Sequence, residues 1–224
     1  MEGKTFEREL PKGYKIATVM DASKGRFAVV FTLISLLFLI VAVAAMALPF
    51  VFEPEDIDDL PYLSVSFLLG MVASFVYIVL HELVHGAAYK RLTGEKLTYG
   101  FTFTCAYCGV PKIFTYRRTA LIAVLAPFVL FSLILIPALV VAYYVSFGLY
   151  LALGVLFAMH FSGCSGDVYV AALLLFKYKD ARVLMNDTGP KMALLVPCES
   201  PSNEDTARIE KLVSEIKSSD KKTR

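Results

Sequence analysis

Residues 81–86 read His-Glu-Leu-Val-His-Gly and close a long apolar run. Two histidines four apart fall on one face of an α-helix, where both imidazoles can reach one Zn²⁺. A glutamate beside the first histidine can take a proton from a water that the metal activates. The spacing therefore predicts His81 and His85 as metal ligands and Glu82 as the general base of a metallohydrolase. Leu83 and Val84 fill the middle positions and suit a buried helix. Burying two imidazoles and a carboxylate in apolar surroundings without partners would cost on the order of several kcal/mol, which argues against a merely incidental cluster.

The elements that must carry these residues are long and apolar. The composition is 57% hydrophobic and only 19% charged. Residues 27–52 and 119–145 contain no charge, and residues 62–80 lead straight into the motif, with the helix expected to reach residue 89. A fourth stretch, 149–176, is interrupted by His160 and by Gly163, Cys164, Ser165, Gly166 and Asp167. Each is long enough to cross about 30 Å of hydrocarbon at about 1.5 Å per residue. The fold class expected is mainly α, a polytopic bundle of four transmembrane helices with a small cytosolic β-hairpin and a short cytosolic C-terminal tail.

Charge orients the bundle. All 22 Lys and Arg residues lie in 1–26, 90–118 and 177–224. The loop near 53–61 is acidic instead, with Glu53, Glu55, Asp56, Asp58 and Asp59. The positive-inside rule puts both termini and the 90–118 loop in the cytosol. The expected organisation is a cytosolic N-terminal tail (1–26), a transmembrane core (27–178) and a cytosolic C-terminal segment (179–224). A net charge of +2, spread over three segments, offers no patch for nucleic acid. The partner implied is a lipid bilayer, here read as a prokaryotic plasma membrane.

A catalytic zinc usually takes three protein ligands. The intramembrane candidates for the third are Asp167, His160 and Cys164. Measured back from Lys90, His81 lies about 13 Å inside the helix end and His85 about 8 Å. Measured from Lys177, Asp167 lies about 15 Å inside, Cys164 about 20 Å and His160 about 25 Å. Depth selects Asp167, and a lone carboxylate within a membrane calls for a cation in any case. His160 and Cys164 remain as supports behind the ligands or as contacts to substrate, and a plain hydrogen bond inside the bundle is the simpler role for His160.

Between the second and third helices, Phe101, Phe103 and Cys105 alternate with Thr102 and Thr104, and Ile113, Phe114, Thr115 and Tyr116 are β-branched or aromatic. Gly109, Val110 and Pro111 punctuate the middle, so a hairpin over 99–116 is expected. Such an edge beside a protease site can hold an extended substrate, or it can be purely structural. Cys105 and Cys108 form a C-x-x-C pair, a weak signal for metal or redox chemistry in the absence of a second pair. Arg117 and Arg118 open the third helix, where headgroup anchoring is the simplest role, and Pro127 lies well inside it. In the C-terminal segment, 183–185 and 192–196 flank a turn, and a helix capped near Ser202 or Asn203 carries an apolar stripe of Ile209, Leu212, Val213 and Ile216.

With these residues in view, the chain resembles the site-2 protease class of intramembrane zinc metalloproteases. The resemblance rests on His81, Glu82 and His85 in a membrane helix, the hairpin, Ala126 followed by Pro127, and Gly166 followed by Asp167. That class carries its aspartate in an Asp-Gly context, whereas here the order is Gly166, Asp167, Val168. The chain is more similar to a smaller family of zincin membrane peptidases that share His-Glu-x-x-His-Gly and a later Gly-Asp. The resemblance implies a zinc metalloendopeptidase that cleaves membrane-associated protein or peptide substrates near the cytosolic face. The competing reading is a catalytically inactive metal-binding membrane protein that acts as sensor, regulator or transport subunit. An intact Glu82 and the lack of an internal repeat weigh against it.

Overall fold

The computed structural model describes residues 4–22, 25–52, 60–101 and 106–222. Helices α1 (Gly25–Phe52), α2 (Leu60–Thr93) and α3 (Arg117–Val145) each run unbroken. The fourth apolar stretch is divided into α4 (Phe147–Gly163), α5 (Ser165–Ala172) and a π-helical turn at Leu173–Lys177. The break falls at Cys164, within the glycine-flanked interruption marked by the sequence. Four segments are long and apolar enough to cross a membrane: Gly25–Val51, Tyr62–Thr93, Arg117–Val145 and Phe147–Lys177. The acidic loop at 53–59 lies outside the described residues.

One compact unit comprises Val29–His81 and Leu125–Tyr169. Helices α2 and α4 approach closely in it: a Cβ on Gly70 would lie 2.6 Å from the Ala152 carbonyl oxygen and 2.7 Å from Val155 Cβ. A small residue permits this close contact between apolar helices. Phe50, Tyr143, Phe147 and Tyr150 meet edge to face, and the Tyr150 hydroxyl donates to the Met46 carbonyl at 2.8 Å. The outward surface is apolar; Leu33, Phe75 and Leu133 are 61%, 68% and 71% exposed.

The other unit comprises Met1–Ala28, Glu82–Val124 and Val170–Arg224. Its centre is a five-stranded antiparallel sheet of β1 (Phe6–Glu7), β2 (Tyr14–Asp21), β5 (Phe114–Tyr116), β6 (Leu184–Asp187) and β7 (Lys191–Pro197), in the order β1-β5-β6-β7-β2. The final helix, α6 (Asn203–Lys222), lays Leu212 and Val213 on a core of Tyr14, Phe114, Tyr116, Leu184, Ala193 and Leu195. Ser202 caps it reciprocally: its Oγ accepts from Asp205 N at 3.1 Å, and Asp205 Oδ2 accepts from Ser202 N at 3.1 Å.

Two expectations change. Residues 1–26 were expected as a tail, yet the segment supplies β1 and β2. The 99–116 hairpin is narrower than expected: β3 (Thr98–Phe101) pairs with β4 (Ala106–Gly109), while β5 leaves it to pair with β1 and β6. The reason is partner supply. Phe114–Tyr116 is buried throughout, and its partners lie about 70 to 110 residues away, so no local turn signal reports them. Thr102, Phe103, Thr104 and Cys105 lie outside the described residues. The C-terminal hairpin forms as expected, with Leu184 opposite Leu195 and Asp187 opposite Met192.

The Gly70 contact is testable. Gly70→Ala should destabilise the protein by roughly 1–3 kcal/mol through overpacking against backbone. Gly163→Ala, whose Cβ meets nothing within 4 Å, should be near neutral. Thermal unfolding of both variants in detergent checks the contrast.

Candidate metal centre

Helix α2 carries His81, Glu82 and His85 in one turn, and Asp167 stands in the first turn of α5. His81, His85 and Asp167 each offer one ligand atom, and those atoms all lie within 4.8 Å of one another. His81 Nε2 is 3.2 Å from Asp167 Oδ2. All three side chains are buried, and Glu82 is half-buried. Asp167 and His81 thus stand side by side. Across Cys164 the backbone keeps i→i−4 bonds, Cys164 N to His160 O at 3.1 Å and Val168 N to Cys164 O at 2.9 Å, so α5 follows on from α4 and carries Asp167 three residues past the turn.

Two imidazoles and a carboxylate oxygen form a zinc donor set, and the second nitrogen of each ring supports that fit. His85 Nδ1 lies 2.8 Å from the Ala123 carbonyl oxygen. A carbonyl only accepts, so Nδ1 carries the proton and the Nε2 lone pair of the neutral ring is left for a metal. The carbonyl is available for a reason written in the sequence. In α3 the usual partner of Ala123 O is the N–H of residue 127, and residue 127 is proline. His81 Nδ1 lies 2.8 Å from the Tyr77 hydroxyl, one turn back on the same helix.

The remaining candidates are placed as follows. His160 is fully buried, bonded to Tyr77 and Ser132, and stands outside the ligand group. Cys164 Sγ is 3.6 Å from His160 Nδ1 and 3.9 Å from Tyr77 Oη, also outside it. Cys108 is buried, and burial, reinforced by the Asp187 and Glu82 charges, pushes its thiol up to about 12. A raised thiol pKa disfavours thiolate chemistry at Cys108; Cys105 lies outside the described residues. Arg117 does not need a headgroup: its Nε donates to the Leu174 carbonyl at 2.7 Å, beside the π-helical turn.

Several supporting residues carry no motif. A Cβ on Gly86 would collide with the Tyr99 hydroxyl, so the final glycine of the His-Glu-x-x-His-Gly run admits the β3 tyrosine against α2. Burial raises the Tyr99 phenol above its ordinary range, with smaller contributions from Cys108 and from the Glu82 charge. Further along α2, Tyr89 donates to Asp187 Oδ2 at 2.7 Å, while Asp187 Oδ1 accepts from Gly189 N at 2.8 Å and its carbonyl from Val110 N at 2.9 Å. Tyr77 was the most legible of these, since it precedes His81 by one helical turn; the others depend on contacts distant in sequence.

The proline argument makes a prediction of opposite signs. Pro127→Ala should stabilise α3, because alanine restores a helical hydrogen bond, yet the new N–H competes with His85 for Ala123 O. Zinc affinity should fall about tenfold, at the lower end for loss of a ligand's hydrogen-bond partner. Calorimetric titration with zinc, paired with thermal unfolding, checks both.

No curated protein and no solved structure matches the chain. A family model described as "Putative zincin peptidase" matches residues 74–182. The matched segment begins before Tyr77 and contains His81, Glu82, His85, Ala123, Pro127, His160 and Asp167. Zincins take their name from zinc held by the two histidines of such a helix, which is the arrangement built up above. Over residues 74–182 the chain is similar to a family described as a "Putative zincin peptidase".

Proposed function

We propose that this protein is a membrane-embedded zinc metallopeptidase that cleaves membrane or membrane-proximal proteins near the cytosolic face. The observation that carries the reading is the convergence of His81, His85 and Asp167 within 4.8 Å beside Glu82, on a helix apolar enough to cross a membrane. The exposed apolar side chains of α1, α2 and α3 support a lipid surrounding. The distribution of Lys and Arg supports a cytosolic location for both termini and for the 90–118 loop.

His81, His85 and Asp167 would hold the zinc. When bound, the ion supplies Lewis acidity that brings the pKa of a water to about 7 and polarises a peptide carbonyl. Glu82 accepts the proton of the attacking water and returns it to the nitrogen of the leaving amine. Its half-buried position keeps it reachable by substrate. The β3 strand pairs with β4 along one edge, and among the described residues its other edge has no strand partner. The Tyr99 side chain of that strand reaches Gly86, one helical turn past Glu82, and an extended substrate would be held on the open edge by backbone hydrogen bonds.

Two variants test the reading. Purified wild-type protein should carry about one zinc per chain, the stoichiometry of a single three-ligand site, and Asp167→Ala should lose it. Glu82→Gln should keep the zinc and lose cleavage of single-span reporter proteins in proteoliposomes by at least about 10²-fold. Full cleavage by zinc-loaded Glu82→Gln would rule out the assigned base. Zinc binding without any cleavage by the wild type would favour a sensor or regulator.

A further inference from the structure

His160 sits where an apolar side chain would be expected. It is fully buried and enclosed by the rings of Tyr77, Phe128, Phe131 and Phe157. Both its nitrogens are nevertheless used. Nδ1 lies 2.7 Å from Tyr77 Oη and Nε2 lies 3.0 Å from Ser132 Oγ. Tyr77 Oη is in turn 2.8 Å from His81 Nδ1. Four side chains from α2, α3 and α4 thus form one row: His81, Tyr77, His160, Ser132.

Proton counting restricts this row. A neutral imidazole has one N–H, and a phenol has one O–H. If His81 turns the lone pair of Nε2 to a metal, its proton is on Nδ1 and donates to Tyr77 Oη. The phenol then donates to His160 Nδ1, so the His160 proton is on Nε2 and donates to Ser132 Oγ. If His81 instead carries its proton on Nε2, towards the Asp167 carboxylate, every donor in the row reverses. An order in which both rings donate to the phenol turns its proton towards Cys164 Sγ, at 3.9 Å, a poor acceptor. Each group holds the same number of protons in both orders; only their positions differ.

We propose that Tyr77 and His160, anchored on Ser132, are positioning residues that hold His81 Nε2 towards Asp167, and that metal occupancy sets the direction of donation along the row. The proposal rests on the zinc reading above. It makes His160, which touches no ligand, a reporter of whether the site is filled. It also accounts for an imidazole amid aromatic rings, because only a side chain with an acceptor on one edge and a donor on the other completes either order.

The chain has three histidines, so histidine-selective ¹⁵N labelling of the full-length protein in micelles resolves six ring nitrogens. Zinc should move the Nε2 signals of His81 and His85 and convert His160 to the Nε2–H tautomer. In Tyr77→Phe, which keeps the ring and removes only the hydroxyl, zinc affinity should fall about 10–100-fold, and the His160 tautomer should stop responding to zinc. His160→Gln, which keeps an acceptor and a donor, should bind zinc more tightly than His160→Leu. Zinc-dependent shifts at His81 and His85 with an unresponsive His160 in the wild type, or wild-type affinity in Tyr77→Phe, would overturn the row alone. A wild type in which neither His81 nor His85 responds to zinc would overturn the metal centre, and the row with it.

Discussion

An imidazole can face a metal with only one of its nitrogens, so the other must be held by something else if the ring is to keep its angle and its tautomer. In the metal site proposed here, the second nitrogen of each ring has such a holder. His85 is held by a carbonyl that Pro127 leaves without its helical partner, and His81 by a phenol one turn back on α2. A proline that would weaken an ordinary helix, and a polar row that would be costly in an apolar bundle, are each compensated by the orientation they impose.

Asp167 meets the same demand by different means. It stands in the first turn of α5, three residues past the turn at Cys164, with Oδ2 3.2 Å from His81 Nε2. The far end of α2 is secured by hydrogen bonds of another kind. Tyr89, Gly189 and Val110 all converge on Asp187, so the last turns of the ligand-bearing helix, the β6–β7 turn and the residue after β4 share one buried anchor. The Tyr99 phenol against Gly86 brings the β3 strand to the same helix.

Legibility differed by element, and the differences have physical causes. The four apolar segments could be read to within about four residues at each end, because about 20 apolar residues in a row with few charges is a pattern visible without any partner. The helix-capping Ser202 and the C-terminal hairpin were readable from local pattern. The five-stranded sheet was not. Tyr14–Asp21 alternates well enough for a strand, but its partner, Lys191–Pro197, lies about 170 to 180 residues on, and β-propensity without a visible partner is a weak signal. Arg117 looked like a headgroup anchor because its type fits that role; its actual acceptor, the Leu174 carbonyl, belongs to a π-helical turn that no composition signal marks.

By itself the sequence determined the chemistry on offer: two imidazoles on one helical face, a carboxylate base beside them, and an aspartate at matching depth. Those follow from helix periodicity and rise, which are the same in every chain. Only the tertiary structure decided what holds each ring. Whether a carbonyl is spare, whether a phenol lies between two histidines, and whether a glycine makes room for a tyrosine are distances between residues far apart in the chain. His160 shows the division most sharply. Depth counting put it too far out to be a ligand, and packing gave it both a phenol and a serine to bond.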